Sequence, residues 1–99
     1  MQTFVMLSRV VPGQFTSSAE LKETSAKVRK MIETEVPEAL WICSYALMGQ
    51  YDGLDVFEVP TMQHAATISG IVRTHGKSET QTMLADDWKS FVMKAGTAK

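Results

Sequence analysis

The run Trp41-Ile42-Cys43-Ser44-Tyr45-Ala46-Leu47-Met48, the link Gly49-Gln50-Tyr51-Asp52-Gly53 and the return Leu54-Asp55-Val56-Phe57-Glu58-Val59 decide the fold. β-branched and aromatic residues fill both arms, two glycines punctuate the middle, and Pro60 closes the second arm. The segment therefore predicts an antiparallel hairpin over Trp41 to Met48 and Leu54 to Val59, with the glycines supplying positive φ at the turn. Alternate residues of a strand face opposite sides. Strict alternation sets Trp41, Cys43, Tyr45 and Leu47 against Ile42, Ser44, Ala46 and Met48. Both sets are largely apolar, so both faces of the sheet need cover.

Upstream, Thr3 to Val10 reads as another two-faced apolar strand, stopped by Pro12-Gly13. Ser17-Ser18-Ala19-Glu20 has capping-box spacing. The stripe Leu21, Val28, Met31 and Ile32 behind it predicts a helix of about four turns ended by Pro37. Downstream, Thr61 is expected to cap a second helix through about Arg73, whose inner face is Ala65, Ile68, Ser69 and Val72. Ser78 to Leu84 follows as a polar edge strand. Asp86 then heads a short helix with Trp88, Phe91, Val92 and Ala95 on one stripe, stopped by Gly96.

The order β-α-β-β-α-β plus a C-terminal helix is the split βαβ arrangement of the ferredoxin-like fold, an α+β class with an antiparallel sheet. It is expected to form one domain over residues 1–99. Two helices cover one face of a four-stranded sheet. The other face is expected to pair with a second copy, giving a homodimer in the form of a dimeric α+β barrel, with the C-terminal helix as the alternative cover.

The chain of 99 residues carries 10 Lys+Arg against 11 Asp+Glu, a net charge of -1. That balance argues against nucleic acid and anionic membrane surfaces as partners. Cys43 is the single cysteine, so no intramolecular disulfide forms. The N-terminus has no basic leader, and no window reaches the roughly 18 to 20 apolar residues of a membrane span. The cytoplasm is the expected location. Among the seven methionines, Met6, Met31, Met48, Met62 and Met83 fall at core-like positions, as fillers or as the lining of a plastic pocket.

At Gly49-x-Tyr51-Asp52 the chain resembles the GYD-domain family of small bacterial proteins. The likeness takes in Phe4-Val5-Met6-Leu7, Tyr45 through Asp52, and Glu79-Thr80-Gln81-Thr82-Met83-Leu84. Gln50 interrupts the tripeptide, so the motif stands as G-x-Y-D. The resemblance implies an oligomeric ferredoxin-like fold and no settled activity. The same turn, with Glu79-Thr80-Gln81-Thr82, is similar to the effector-binding domain of leucine-responsive (Lrp/AsnC) regulators, which bind amino acids where dimers meet. No helix-turn-helix precedes this segment, so DNA binding is not expected.

Candidate ligand contacts are Gly49, Tyr51 and Asp52 at the turn, with Arg73 and His75 at the end of the second helix. Asp52 is either a turn residue bonding backbone N–H groups or a carboxylate gripping a ligand cation. His64, His75 and Cys43 have no recognised metal-ligand spacing, and three-way convergence is needed before they bind a metal. No sequence motif names a cofactor. Dimeric α+β barrels include cofactor-free oxygenases and haem enzymes, in which His64 or His75 would transfer protons, an analogy at the level of fold. The favoured expectation is a homo-oligomeric small-molecule-binding or accessory protein.

Overall fold

A computed structural model describes residues 1–97. The elements are β1 (Gln2–Val10), α1 (Ser18–Glu35), β2 (Leu40–Ala46), β3 (Gly53–Val59), α2 (Met62–His75), β4 (Ser78–Ala85) and α3 (Trp88–Thr97). The strands form one antiparallel sheet in the order β2-β3-β1-β4. This is the ferredoxin-like βαββαβ fold with a C-terminal helix, as the hairpin and helix patterns predict.

Cross-strand register sorts the side chains into rows. On the helix-covered face one row runs Leu84, Phe4, Phe57, Trp41 and the next runs Thr82, Met6, Asp55, Ser44. Phe57 and Ile68 are completely buried, and Val28, Ile32 and Val36 come down from α1 and its C-terminal end to the same core. The aromatic rings stack along the first row, Trp41 on Phe57 at 4.9 Å between centroids and Phe4 on Phe57 at 6.1 Å. On α2 the buried stripe is Ala65, Ile68 and Ile71, while Ser69 hydrogen-bonds Thr80 of β4 at 2.6 Å. Ile71 had no place in the small-residue face expected from sequence.

Strict alternation fails in β2. The register shifts between Trp41 and Cys43, so that Trp41 pairs with Phe57 and Cys43 with the next residue back, Val56. Ile42 is the extra residue of a β-bulge, which moves Trp41 to the helix side and Cys43 and Tyr45 to the other. β2 also stops at Ala46, so Leu47 and Met48 belong to the turn, and Met48 is fully exposed. Met62 is exposed too, and of the five methionines expected in core positions Met6 alone is buried.

Local chemistry at the helix starts follows the capping rules with two changes. Ser17 accepts from the Glu20 N–H at 3.1 Å, but the Glu20 carboxylate reaches back to Thr16, not to Ser17. The Thr16 hydroxyl, with help from the Thr16 N–H, holds the Glu20 carboxyl below its ordinary pKa. Asp87, not Asp86, caps α3 by accepting from the Ser90 N–H at 3.0 Å, and the helix runs through Gly96. Asp86 instead binds Lys94 at 2.8 Å, an interaction that lowers its pKa. Glycine at 49 does not take positive φ. Gly13 (φ 81) and Lys77 (φ 52) do, and at Gly53 a Cβ would stand 2.8 Å from Ser8 Oγ, a hydroxyl that would have to rotate away.

α3 comes close to no other helix or strand among the described residues. Trp88 is 74% exposed, Phe91 50% and Val92 49%. The radius of gyration, 15.1 Å, exceeds the roughly 13 Å of a compact chain of this length, and the long axis reaches 53 Å. The apolar stripe of α3 therefore does not dock on its own sheet. Trp88 contributes nothing to the core within one chain, contrary to what its periodic stripe implies. The core lies elsewhere: Phe57→Ala is expected to destabilise by about 3 to 5 kcal/mol, measured by urea denaturation. Gly76→Ala, whose Cβ would meet Val72 O at 2.5 Å, should lose about 1 to 3 kcal/mol through overpacking.

Candidate functional site

Three features of the surface bear on function: the sheet face that no helix covers, the β2–β3 turn, and a cavity under α1. On the open face, register sets Met83, Val5, Val56 and Cys43 in one row and Gln81, Leu7, Leu54 and Tyr45 in the next. Apolar residues thus run across all four strands. Tyr45 and Met83 are exposed, and the central residues are partly covered by their neighbours.

At the turn, Leu47 N–H donates to Asp52 O and Asp52 N–H donates to Ser8 O, both at 2.8 Å. The Asp52 carboxylate accepts from the Val10 N–H at 2.8 Å, tying the hairpin to the end of β1. Tyr51 OH donates to Gln81 Oε1 at 2.9 Å and borders a small cleft of about 150 Å³ with Arg9 and Glu79. Arg9 and Glu79 are themselves paired at 3.2 Å. The last turn of α2, with Arg73 and His75, lies at this same end of the sheet, where Val11 N–H donates to Lys77 O. Both side chains are exposed, in the position where a helix dipole favours cations. Among the described residues no hydrogen bond or ion pair joins either of them to Asp52.

The remaining titratable candidates are dispersed. His64 stands at the start of α2, its Nδ1 2.7 Å from Thr61 Oγ1 and its Nε2 3.4 Å from Glu38. Cys43 lies on the open sheet face. Among the described residues no group of three or more His, Cys, Asp or Glu is placed to hold a metal ion, so His64, His75 and Cys43 do not converge.

The third feature was not anticipated from sequence. Between α1 and the helix-side face of the sheet lies a cavity of about 490 Å³. Met6, Phe15, Leu21, Val28, Ile32 and Val36 give it apolar walls. Its polar floor comes from β2 and β3: Trp41 Nε1–H donates to Ser44 Oγ at 2.8 Å, and the Ser44 hydroxyl donates to Asp55 Oδ1. The bulge at Ile42 makes this chain, because it returns Trp41 to the face that carries Ser44. Arg29 and Glu33 of α1 stand at the rim. Outside the lining, Lys77 Nζ stands 5.3 Å from the centre of the Phe15 ring and 3.8 Å from Glu20. Neither histidine lines the cavity. The legible signal was Asp55 itself, an aspartate on the same face of its strand as Phe57 and Val59, where that residue is disfavoured.

The architecture defines a small ferredoxin-like protein with a roofed cavity and one uncovered sheet face. The GYD domain matches residues 4–93, and the chain belongs to the GYD-domain family. Among solved structures it is similar to FFRP-DM1, at 23% identity over 87% of this chain and 100% of that one, with a TM-score of 0.57. It is also similar to 30S ribosomal protein S6 from Thermotoga maritima (15% identity, 96% and 97% covered, TM-score 0.66). A hypothetical protein from Pyrococcus horikoshii matches at 22% identity over 88% and 92%, with a TM-score of 0.55. These likenesses show the fold. No curated protein matches the sequence.

The backbone bond at the turn has a direct check. Asp52→Ala removes the acceptor for Val10 N–H and should cost about 1 to 2 kcal/mol, read from the denaturation midpoint. Asp52→Asn keeps an acceptor oxygen and is expected to recover most of that loss. Equal losses from both variants would assign the effect to the charge.

Proposed function

We propose that the protein is a homo-oligomeric small-molecule-binding protein. The observation that carries the binding reading is the cavity under α1, whose 490 Å³ or so falls within the about 300 to 1,000 Å³ of ligand pockets and which combines apolar walls with a few convergent polar groups. Gly49, Tyr51, Asp52, Arg73 and His75 sit at the end of the sheet, and in this reading they meet the ligand or its entry path where neighbouring copies approach. The reading keeps the chain in the cytoplasm, where its lone thiol stays reduced. No helix among the described residues is long and apolar enough to cross a membrane.

Self-association is supported by the uncovered face. At about 4.8 Å between strands and 3.3 Å per residue, a four-stranded face covers on the order of 450 Å² in plan. Two such faces fall short of the about 1,200 Å² that a stable interface buries. Trp88, Phe91 and Val92 on α3 offer the additional apolar area, and a second copy is the occupant that supplies matching rows to both surfaces. Burial repays at about 25 cal/mol per Å² before association costs.

Light scattering at micromolar concentration is expected to give at least two chains of 11.0 kDa. Val56→Lys, which places a charge in the central row of the open face, should lower the mass toward one chain while leaving the helix-side core intact. A monomer mass for the unaltered protein would overturn the assembly reading. Native mass spectrometry of protein from its source cells reads the second half of the proposal, with a retained small molecule as the expected result.

A further inference from the structure

The polar groups of the cavity under α1 are unbalanced in a way that selects a ligand. Ser44 spends its proton on Asp55 Oδ1, and Trp41 spends its N–H on Ser44, so the floor has no donor left. An ionised carboxylate only accepts. Asp55 Oδ2 has no hydrogen-bond partner and Asp55 forms no ion pair among the described residues. At the rim, Arg29 and Glu33 stand one helical turn apart on α1, and both are exposed to water. Of the charged residues that line the cavity, Asp55 is the one that is not exposed. Half-buried among apolar groups, it is stabilised by a cation and destabilised by a second anion.

We infer that this cavity takes a small amphipathic amine, its apolar or aromatic body against Met6, Val28, Ile32 and the Trp41 ring, and its ammonium on Asp55. The inference rests on the binding reading above and adds the chemical class. A wholly apolar molecule would fill the walls and leave Asp55 without a partner. A carboxylate of the same shape would bring like charges together at the floor.

The test uses the full chain carrying Trp88→Phe, so that the one remaining indole N–H resonance belongs to Trp41, at the cavity floor. Naphthylethylamine, naphthylethanol and naphthylpropionate share a body and differ in the head group. The amine is expected to move the Trp41 indole resonance and to bind about tenfold tighter than the alcohol, a difference of about 1.4 kcal/mol, with the acid weaker again. Asp55→Asn should bring the amine to the affinity of the alcohol. Thr24→Phe, which adds bulk to the α1 wall, should weaken all three together and separates loss of space from loss of charge. Equal binding of the three probes overturns the amine and leaves a neutral-ligand protein, and an amine preference that survives Asp55→Asn overturns the placement of the ammonium on Asp55. If none of the probes moves the Trp41 resonance at millimolar concentration, the cavity as a binding site falls with it.

Discussion

The central strands β1 and β3 are apolar on both sides, and the remaining architecture answers to that constraint. A strand presents half its side chains to each face, so Phe4, Met6, Phe57 and Val59 on one side come with Val5, Leu7, Leu54 and Val56 on the other. Two helices in a βαββαβ chain land on one face because both crossovers turn the same way. That face becomes the core. The opposite face keeps its rows of Met83, Val5, Val56 and Cys43 without a covering helix among the described residues, and α3, whose own stripe is apolar, packs on no strand there. Two unpartnered apolar surfaces on one small protein are best reconciled by a second copy of it.

A smaller irregularity shapes the cavity. Were Ile42 paired in a regular strand instead of bulged, Trp41 and Ser44, three residues apart, would lie on opposite faces, and the Trp41–Ser44–Asp55 chain would not exist. Bulges commonly re-aim a side chain beside a functional site. Here the re-aimed side chain both stacks on Phe57 in the core and directs its N–H to the polar floor of the cavity. Core and cavity share a residue, so the aromatic stack that stabilises the sheet also sets the position of the polar groups.

Much of the fold was legible in the sequence because periodicity and punctuation agree: Pro12-Gly13, Pro37, Pro60 and Gly76 bound the elements, and Ser17 and Thr61 cap the first two helices. The site was legible only in part. The turn motif led to Tyr51 and Asp52, which the fold does bring to the end of β1 through Val10 and Gln81. The cavity escaped because its floor depends on a bulge that a period of two does not register, and because its roof depends on how far α1 stands from the sheet. α3 illustrates the opposite limit. Its stripe of Trp88, Phe91 and Val92 is real, but an amphipathic pattern records that a surface needs a partner without recording whether that partner lies in the same chain.

Cys43 provides the most direct measurement of whether a second copy covers the open face. Its thiol lies there, beside Val56 in the central row, half-covered in a single chain. The rate of Cys43 alkylation by iodoacetamide, followed across protein concentrations from nanomolar to high micromolar, should fall as the protein becomes more concentrated and the face closes. A rate that stays constant over that range would contradict the account, because it would mean that the row containing Cys43 remains open to solvent whatever the number of copies present.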